Sequence, residues 1–203
     1  MQKLSTNPWF TMWAEPRKTI RMIVDANPKK GFYVLAAITF FSDYLMSAGR
    51  YFATYSTQFF LTTLFMLILS PFLGALLFYI VGWVLKITGG WLNGHAPAVN
   101  LRAVVAWANL PRIIVLFLAF VLLLFAPNYY FTPLVSGPVF LFIRFILFVT
   151  WIWQVVIFVV GISEVQRFSI GKAIGNYLLN LLVFVVFFML VGFLVGAIRA
   201  LLN

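Results

Sequence analysis

The residues of this sequence that could do chemistry are a few charged side chains inside or beside long apolar stretches. The chain has only four acidic residues. Asp43 lies within the first apolar stretch, and Glu164 follows the apolar stretch 139–162. Arg112 and Arg144 are basic residues in similar surroundings. A charge at the centre of a bilayer costs about 2.5–3.5 kcal/mol on insertion scales, so such residues usually pair or line a polar path.

Depth along the predicted helices indicates which of these charges pair. Asp43 and Arg144 each lie about six residues, or roughly 9 Å, from the same end of the bundle. Arg112 and Glu164 are expected near the other, inner face of the membrane. The sequence therefore predicts two ion pairs, Asp43–Arg144 and Arg112–Glu164. They could be structural clasps between helices, or they could bind a lipid head group or an ion.

Polar residues near these charges could extend the site. Asn109 precedes Arg112 by three residues, and Asn176 and Asn180 lie one turn apart on the last apolar stretch. Such Asn side chains more often form hydrogen bonds between helices. Gly192 and Gly196 form a GxxxG spacing that could bring the last helix against a neighbour or a second copy, although this spacing is common by chance.

The chain lacks the usual constellations of an enzyme. It has no Cys and one His, His95, in a polar connection, so neither a His- or Cys-based metal site nor a Ser-His-Asp triad can be assembled. Gly89-Gly90 is interpreted as a turn, and no phosphate-binding fingerprint is present. We expect no metal, no cofactor and no enzymatic activity, with Asp43 and Glu164 as the remaining candidates for an acid or a base.

Composition places these residues in a membrane protein. The chain has 203 residues, of which 64% are hydrophobic and 9% are charged. In soluble domains about a quarter of the residues are charged. Continuous apolar stretches of about 18 residues or more indicate membrane-spanning helices, not a barrel. The net charge of +10 indicates contact with anionic lipid at one membrane face, not nucleic-acid binding.

The predicted fold class is therefore all-α, a polytopic transmembrane helical bundle. Five spans are expected, at about residues 32–49, 59–85, 103–125, 139–162 and 174–200. Pro111 should kink the third span or separate a short interfacial helix from it. Residues 1–30 would be a cytoplasmic segment, and residues 31–203 would form the transmembrane domain.

The distribution of basic residues sets the predicted orientation. With the N-terminus inside and the C-terminus outside, ten basic residues lie on the inner side and two, Arg50 and Arg199, lie on the outer side. The ten are Lys3, Arg17, Lys18, Arg21, Lys29, Lys30, Lys86, Arg102, Arg167 and Lys172. The positive-inside rule favours this arrangement. We expect no signal peptide at the N-terminus, because the first thirty residues are mostly polar and basic.

An amphipathic helix is predicted ahead of the first span. Trp9 and Trp13 would be aromatic anchors in the membrane interface, and Arg17, Lys18 and Arg21 lie on the polar side of the helix. Such a helix could lie on lipid. It could equally pack its apolar stripe on the protein's own cytoplasmic face.

Four segments resemble one protein family. They are NPWFTMWAEPRKTIRMIVDANP, GGWLNG, AVVAWANLPRI and WIWQVVIFVVGISEVQRFSIGKA. Together they make the chain similar to the Yip domain (Ypt/Rab-interacting-protein) family over nearly its whole length. The resemblance implies five spans with the N-terminus inside. Eukaryotic relatives are Golgi and endoplasmic-reticulum proteins associated with Rab GTPases, membrane trafficking and membrane shaping, and they carry a longer N-terminal region than this chain does.

The chain is more similar to the short bacterial branch, which implies a bacterial inner-membrane protein. We expect a non-enzymatic integral membrane protein that organises lipid or partner proteins. Its partners would be anionic membrane lipids, with a homo-oligomer or a membrane protein partner as further expectations. The alternative function is a transporter, channel or lipid-moving protein that uses the intramembrane charges.

Overall fold

The computed structural model describes residues 7–52, 54–131 and 137–202. Within these ranges the regular structure is entirely helical, which confirms the predicted fold class. The helices are α1 (Pro8–Ala14), α2 (Pro16–Ala26), α3 (Phe32–Ala48), α4 (Thr57–Trp91), α5 (Ala98–Ala108), α6 (Arg112–Phe125), α7 (Pro127–Phe131), α8 (Pro138–Gln166) and α9 (Ile170–Leu202).

Four helical segments of the described chain are long and apolar enough to cross a membrane. They are Thr57–Trp91, the combined α5–α6 segment Ala98–Phe125, Pro138–Gln166 and Ile170–Arg199. The shorter apolar helix α3 has 17 residues, or about 26 Å of length. This is slightly less than the roughly 30 Å of a bilayer's hydrocarbon core.

The helices α3, α4, α8 and α9 and the α5–α6 segment run from one end of the bundle to the other. One end, called the basic end below, carries α1, α2 and the α4–α5 and α8–α9 connections; the other is called the opposite end. Helices α3 and α4 pack most extensively. They approach closely at Gly74, where a Cβ atom would overlap the backbone of Ala36.

Helix α5 forms the centre of the hydrophobic core. Its side chains from Ala103 to Ala108 are at most 2% exposed, and it contacts α2, α3, α4 and α8. The chain breaks between α5 and α6 at residues 109–111, as Pro111 predicts. Helix α5 is thus a short helix separated from α6, and it is buried among the other helices; its position relative to the membrane interface stays a prediction.

The basic end differs from the expectation at one turn. Gly89 and Gly90 lie within α4, which continues to Trp91, so the predicted turn at these glycines was wrong. The chain turns two residues later, where Asn93 has a positive φ of 66°. Gly89 has no side chain, and this leaves room for the side chains of Gln166 and Asn176 beside α4.

The second half of α9 has no partner among the described residues. Every side chain from residue 185 to residue 199 is exposed. A Cβ atom at Gly192 or Gly196 would meet nothing within 4 Å. The GxxxG spacing therefore packs against no described helix, and contact with a second copy stays a prediction.

Candidate functional site

The central ion pair joins Asp43 of α3 to Arg112 of α6. Arg112 Nη1 donates to Asp43 Oδ1 at 2.7 Å. The Arg112 side chain is 26% exposed and the Asp43 side chain is 50% exposed. The Nε atom of Arg112 is buried and has no hydrogen-bond partner among the residues that the structure describes. The predicted pairing of Asp43 with Arg144 was wrong.

The depth of Arg112 explains this correction. The expected third span began at residue 103, which placed Arg112 near the membrane surface. The helical segment begins five residues earlier, at Ala98. Arg112 is therefore about 21 Å from the start of its segment, and Asp43 is about 17 Å from the start of α3. Because both segments start at the basic end, the two charges meet deep in the bundle.

A polar cleft extends beside this ion pair. It has a volume of about 330 Å³ and lies between α3, α6 and α8. Its lining residues are Asp43, Met46, Ser47, Arg50, Arg112, Val115, Leu147, Thr150, Trp151 and Gln154. Next to the cleft, Gln154 Nε2 donates to Asn109 Oδ1 at 2.7 Å. Asn109 therefore lies next to this cleft.

Glu164 pairs with the N-terminal helix α2. Its side chain is only 12% exposed and forms ion pairs with Arg21 and, at 3.9 Å, with Arg17. Arg17 also lies 3.5 Å from Ser163 Oγ. The predicted Arg112–Glu164 pair was wrong, because Glu164 lies at the basic end of α8 and Arg112 is deep in the bundle. Glu164 thus attaches α2 to the end of α8.

Arg144 takes part in none of these ion pairs. It is exposed on α8, and its guanidinium lies 4.7 Å from the centre of the Phe140 ring one turn earlier. Such a cation–π contact stabilises the charge locally. Arg144 is not among the residues that line the cleft.

The N-terminal helices pack on the bundle. Trp9 stacks edge-on against Trp107 with ring centres 5.3 Å apart, and Met12, Ile20 and Ile23 are fully buried. Trp13 also packs against the core. The sequence allowed this amphipathic segment to rest on lipid or on the protein. In the structure its apolar stripe packs on the protein.

The polar faces of these helices are exposed. Pro16 begins α2 at its first helical position, which proline favours because its fixed φ suits a helix start. Lys18 is 82% exposed and pairs with Glu15 at 3.1 Å. Arg17 and Arg21 remain more than half exposed although they contact Glu164.

The amides at the basic end hold helices together. Thr88 Oγ1 donates to Asn176 Oδ1 at 2.6 Å, which joins α4 to α9. The backbone N–H of Ala96 donates to Gln166 Oε1 at 3.0 Å. Asn180 is buried, and its Nδ2 atom has no hydrogen-bond partner within the described part of the chain. Asn176 therefore joins α4 to α9 and does not line the Asp43–Arg112 cleft.

Two cavities meet at the basic end beside Glu164. The larger, of about 700 Å³, is lined by Asn93, His95, Ala96, Pro97, Asn100, Val165, Gln166, Arg167, Phe168, Ser169 and Lys172. The smaller, of about 610 Å³, is lined by Arg17, Arg21, Val24, Asp25, Asn100, Ser163, Glu164, Val165, Arg167 and Phe168. Four lining residues belong to both cavities, so they form one surface, called the basic groove below.

Several residues of these sites were missed by the sequence analysis. Gln154 and Gln166 were not singled out, although an amide inside or at the end of an apolar helix is a visible signal. Arg50 was counted only for orientation, and Trp107 only as part of a motif. Among the described residues, no group of three or more His, Cys, Asp or Glu side chains could hold a metal ion.

Comparison with known proteins identifies the family of this bundle. No curated protein and no solved structure matches the chain. The family model of the Yip1 domain matches residues 10–195, from the N-terminal helices to the exposed part of α9. This agrees with the resemblance seen in the sequence. The chain is a membrane protein that belongs to the Yip1 domain family.

Proposed function

We propose that the chain is a non-enzymatic integral membrane protein that organises anionic lipid at its basic end. Membership of the Yip family implies an association with membranes, and eukaryotic relatives are also associated with Rab GTPases. The finer role proposed for this member is to gather lipid head groups around the basic groove. A membrane protein partner or a second copy could then assemble on the same surface.

One observation carries the proposal: the lining of the basic groove contains four cations, Arg17, Arg21, Arg167 and Lys172, against the two acids Asp25 and Glu164, which leaves an excess of two positive charges. Glu164 forms ion pairs with Arg17 and Arg21. Arg167 and Lys172 line the adjoining cavity and have no ion pair among the described residues. A basic residue near a membrane surface contributes about 1 kcal/mol to the attraction of anionic lipid. Two such cations would favour a phosphate-bearing head group.

Neutralising these two cations should reduce the enrichment of anionic lipid around the protein. The variant is Arg167→Asn with Lys172→Gln, and Asn is chosen because Arg167 has a positive φ of 57°, which Asn tolerates. The protein is reconstituted in mixed phosphatidylglycerol and phosphatidylcholine bilayers and extracted with a copolymer. Lipid mass spectrometry of the extracted discs should show that the excess of phosphatidylglycerol falls by at least half.

Arg199→Gln is the matched control, because it removes a cation from the far part of α9. It should leave the lipid excess at the basic groove unchanged. The proposal fails if wild type shows no excess of phosphatidylglycerol, or if the double variant retains all of it.

We further propose that the protein lies in a bacterial inner membrane, with five crossing segments and the N-terminus inside. The concentration of basic residues at one end supports this orientation through the positive-inside rule. The length and alternating direction of α3, α4, α5–α6, α8 and α9 support five crossings. The proposed domains are the cytoplasmic segment 1–30 and the transmembrane domain 31–203.

Single introduced cysteines should report this topology, because the native chain has no Cys. At the opposite end, Thr54→Cys lies in an exposed connection and Asn128→Cys lies at an exposed position of the short helix α7. His95→Cys and Ser169→Cys lie in exposed connections at the basic end. In intact cells a membrane-impermeant maleimide should label only the first two. Permeabilised cells should show labelling of all four. Labelling of His95→Cys in intact cells would contradict the proposed orientation.

A second candidate function is a transporter or lipid-moving protein. The observation that favours it is the open cleft beside Asp43 and Arg112, because a polar cavity at this depth could form part of a path across the membrane. A scaffold needs no such cleft. A protein that moves lipid would transfer labelled phospholipid between leaflets of a reconstituted vesicle, whereas a lipid-organising scaffold would not.

A further inference from the structure

We propose that the cleft between α3, α6 and α8 binds the phosphate group of an anionic phospholipid that enters from the opposite end. This site is separate from the basic groove and does not depend on the lipid-organising role proposed there. The inference rests on the charge of the cleft, on its remaining hydrogen-bond donors and on the apolar surface next to it.

The charges that line the cleft leave an excess of one positive charge. Arg50 and Arg112 provide two guanidinium groups, and Asp43 provides one carboxylate. Asp43 accepts from Nη1 of Arg112. Arg50 is exposed and forms no ion pair in the described part of the chain. An anion would therefore complete the charge balance.

The charged donors of the cleft belong to its arginines. The hydroxyl groups of Ser47 and Thr150 donate to backbone carbonyls of their own helices. Gln154 Nε2 donates to Asn109. The Nε of Arg112 is buried and does not face the open cleft, but the Arg112 side chain is 26% exposed and its one hydrogen bond among the described residues, from Nη1 to Asp43, leaves further N–H groups of the guanidinium free. Guanidinium groups bind phosphate through several parallel hydrogen bonds, so phosphate matches these donors.

The position of Arg50 gives the direction of entry. Arg50 lies two residues beyond the end of α3 at Ala48, and Asp43 lies about 11 Å further into the bundle along the helix axis. Arg50 therefore lies at the mouth of the cleft, and Arg112 lies at its inner end. The volume of about 330 Å³ is at the lower end of the range for small-molecule sites, roughly 300–1,000 Å³.

Part of the lining of the cleft suits acyl chains. Met46, Val115, Leu147 and Trp151 give it apolar walls, and Trp151 is 53% exposed. The wall continues on the lipid-facing side of α8, where Phe145 and Phe148 are exposed. A phospholipid could place its phosphate between the arginines while its chains stay in the bilayer. Free inorganic phosphate would use only the polar half of the cleft.

Photo-crosslinking with phosphatidylglycerol that carries a diazirine near its head group tests this site. The purified full chain in nanodiscs is irradiated, and labelled peptides are mapped by mass spectrometry. Wild type should be labelled in residues 46–50 and 147–154. Arg50→Gln should reduce this labelling about tenfold, because it removes the cation at the mouth without breaking an ion pair.

Arg144→Gln is the matched control, since Arg144 lies on the same part of α8 but outside the cleft. It should be labelled like wild type. Equal labelling of both variants in the two peptides would overturn the proposal, as would the absence of label there in wild type. Peptides of the basic groove report the other site separately, so failure at one site is distinguishable from failure at the other.

Competition identifies the source of the phosphate. Unlabelled phosphatidylglycerol should reduce labelling of the two peptides, whereas phosphatidylcholine and inorganic phosphate should compete at least tenfold less well. If inorganic phosphate competed as well as phosphatidylglycerol, the cleft would be a free-anion site and the lipid assignment would be wrong.

Discussion

Replacing Asp43 with Asn should lower the free energy of unfolding by about 2–3 kcal/mol. Arg112 would keep its charge inside the bundle without a carboxylate partner, and an unpaired charge at this depth costs about 2.5–3.5 kcal/mol on insertion scales. Removing one partner of an ion pair within a helical bundle is more harmful than removing both, because the remaining charge then has no partner. Unfolding by sodium dodecyl sulfate in mixed micelles would measure the change.

A double-mutant cycle separates the ion pair from other effects of the substitution. The combined variant Asp43→Asn with Arg112→Gln should recover at least half of the stability that Asp43→Asn loses, because no charge then remains unpaired. Arg144→Gln should show no coupling to Asp43→Asn, since the two residues do not form an ion pair in the structure. Coupling to Arg144 equal to that of Arg112 would instead support the pairing expected from sequence.

The two ion pairs show what could be predicted from sequence. An Asp or a Glu in or beside an apolar stretch is visible in the sequence, and both acids form ion pairs in the structure. Their partners could not be predicted, because pairing depends on where each helix begins. A difference of five residues at the start of α5 moves Arg112 by about 7.5 Å along the bundle axis, which changes the acid it can reach.

Glu164 shows a second limit. Its partners Arg17 and Arg21 lie on a helix that sequence alone allowed to rest on lipid or on protein. The apolar stripe of this helix is the same in both cases. Only the position of α2 against α8, which depends on the whole bundle, decides between them. The long apolar helices needed no such information, because length and hydrophobicity are local properties.

The cleft could not be predicted from local sequence features. Its lining comes from three helices and includes Arg50, which follows α3. The cleft exists because α8 packs only weakly against α6 and leaves space beside Asp43 and Arg112. No local pattern encodes such a separation between helices. Apart from the charged residues Asp43 and Arg112, Gln154 was the available sign of a polar site, since an amide in the middle of α8 needs a polar neighbour.

The other large effect is expected at Trp107, whose replacement with Ala should lower the free energy of unfolding by about 3–5 kcal/mol. Trp107 is fully buried, and its Nε1 atom donates to the backbone oxygen of Lys30 at 3.0 Å. It also contacts Trp9. The substitution would therefore leave a cavity in the core and loosen the attachment of α1 and the α2–α3 connection.

Two further variants isolate these contributions. Trp107→Phe keeps most of the packing but removes the hydrogen bond, so it should cost less than Trp107→Ala by at least 1 kcal/mol. Trp83→Ala is the matched control, because Trp83 is 61% exposed on α4 and should have little effect. Limited proteolysis should cut residues 8–31 faster in Trp107→Ala than in Trp83→Ala. Equal stability and equal cleavage would mean that α1 and α2 are not anchored to the core, and would favour the alternative in which they rest on the membrane surface.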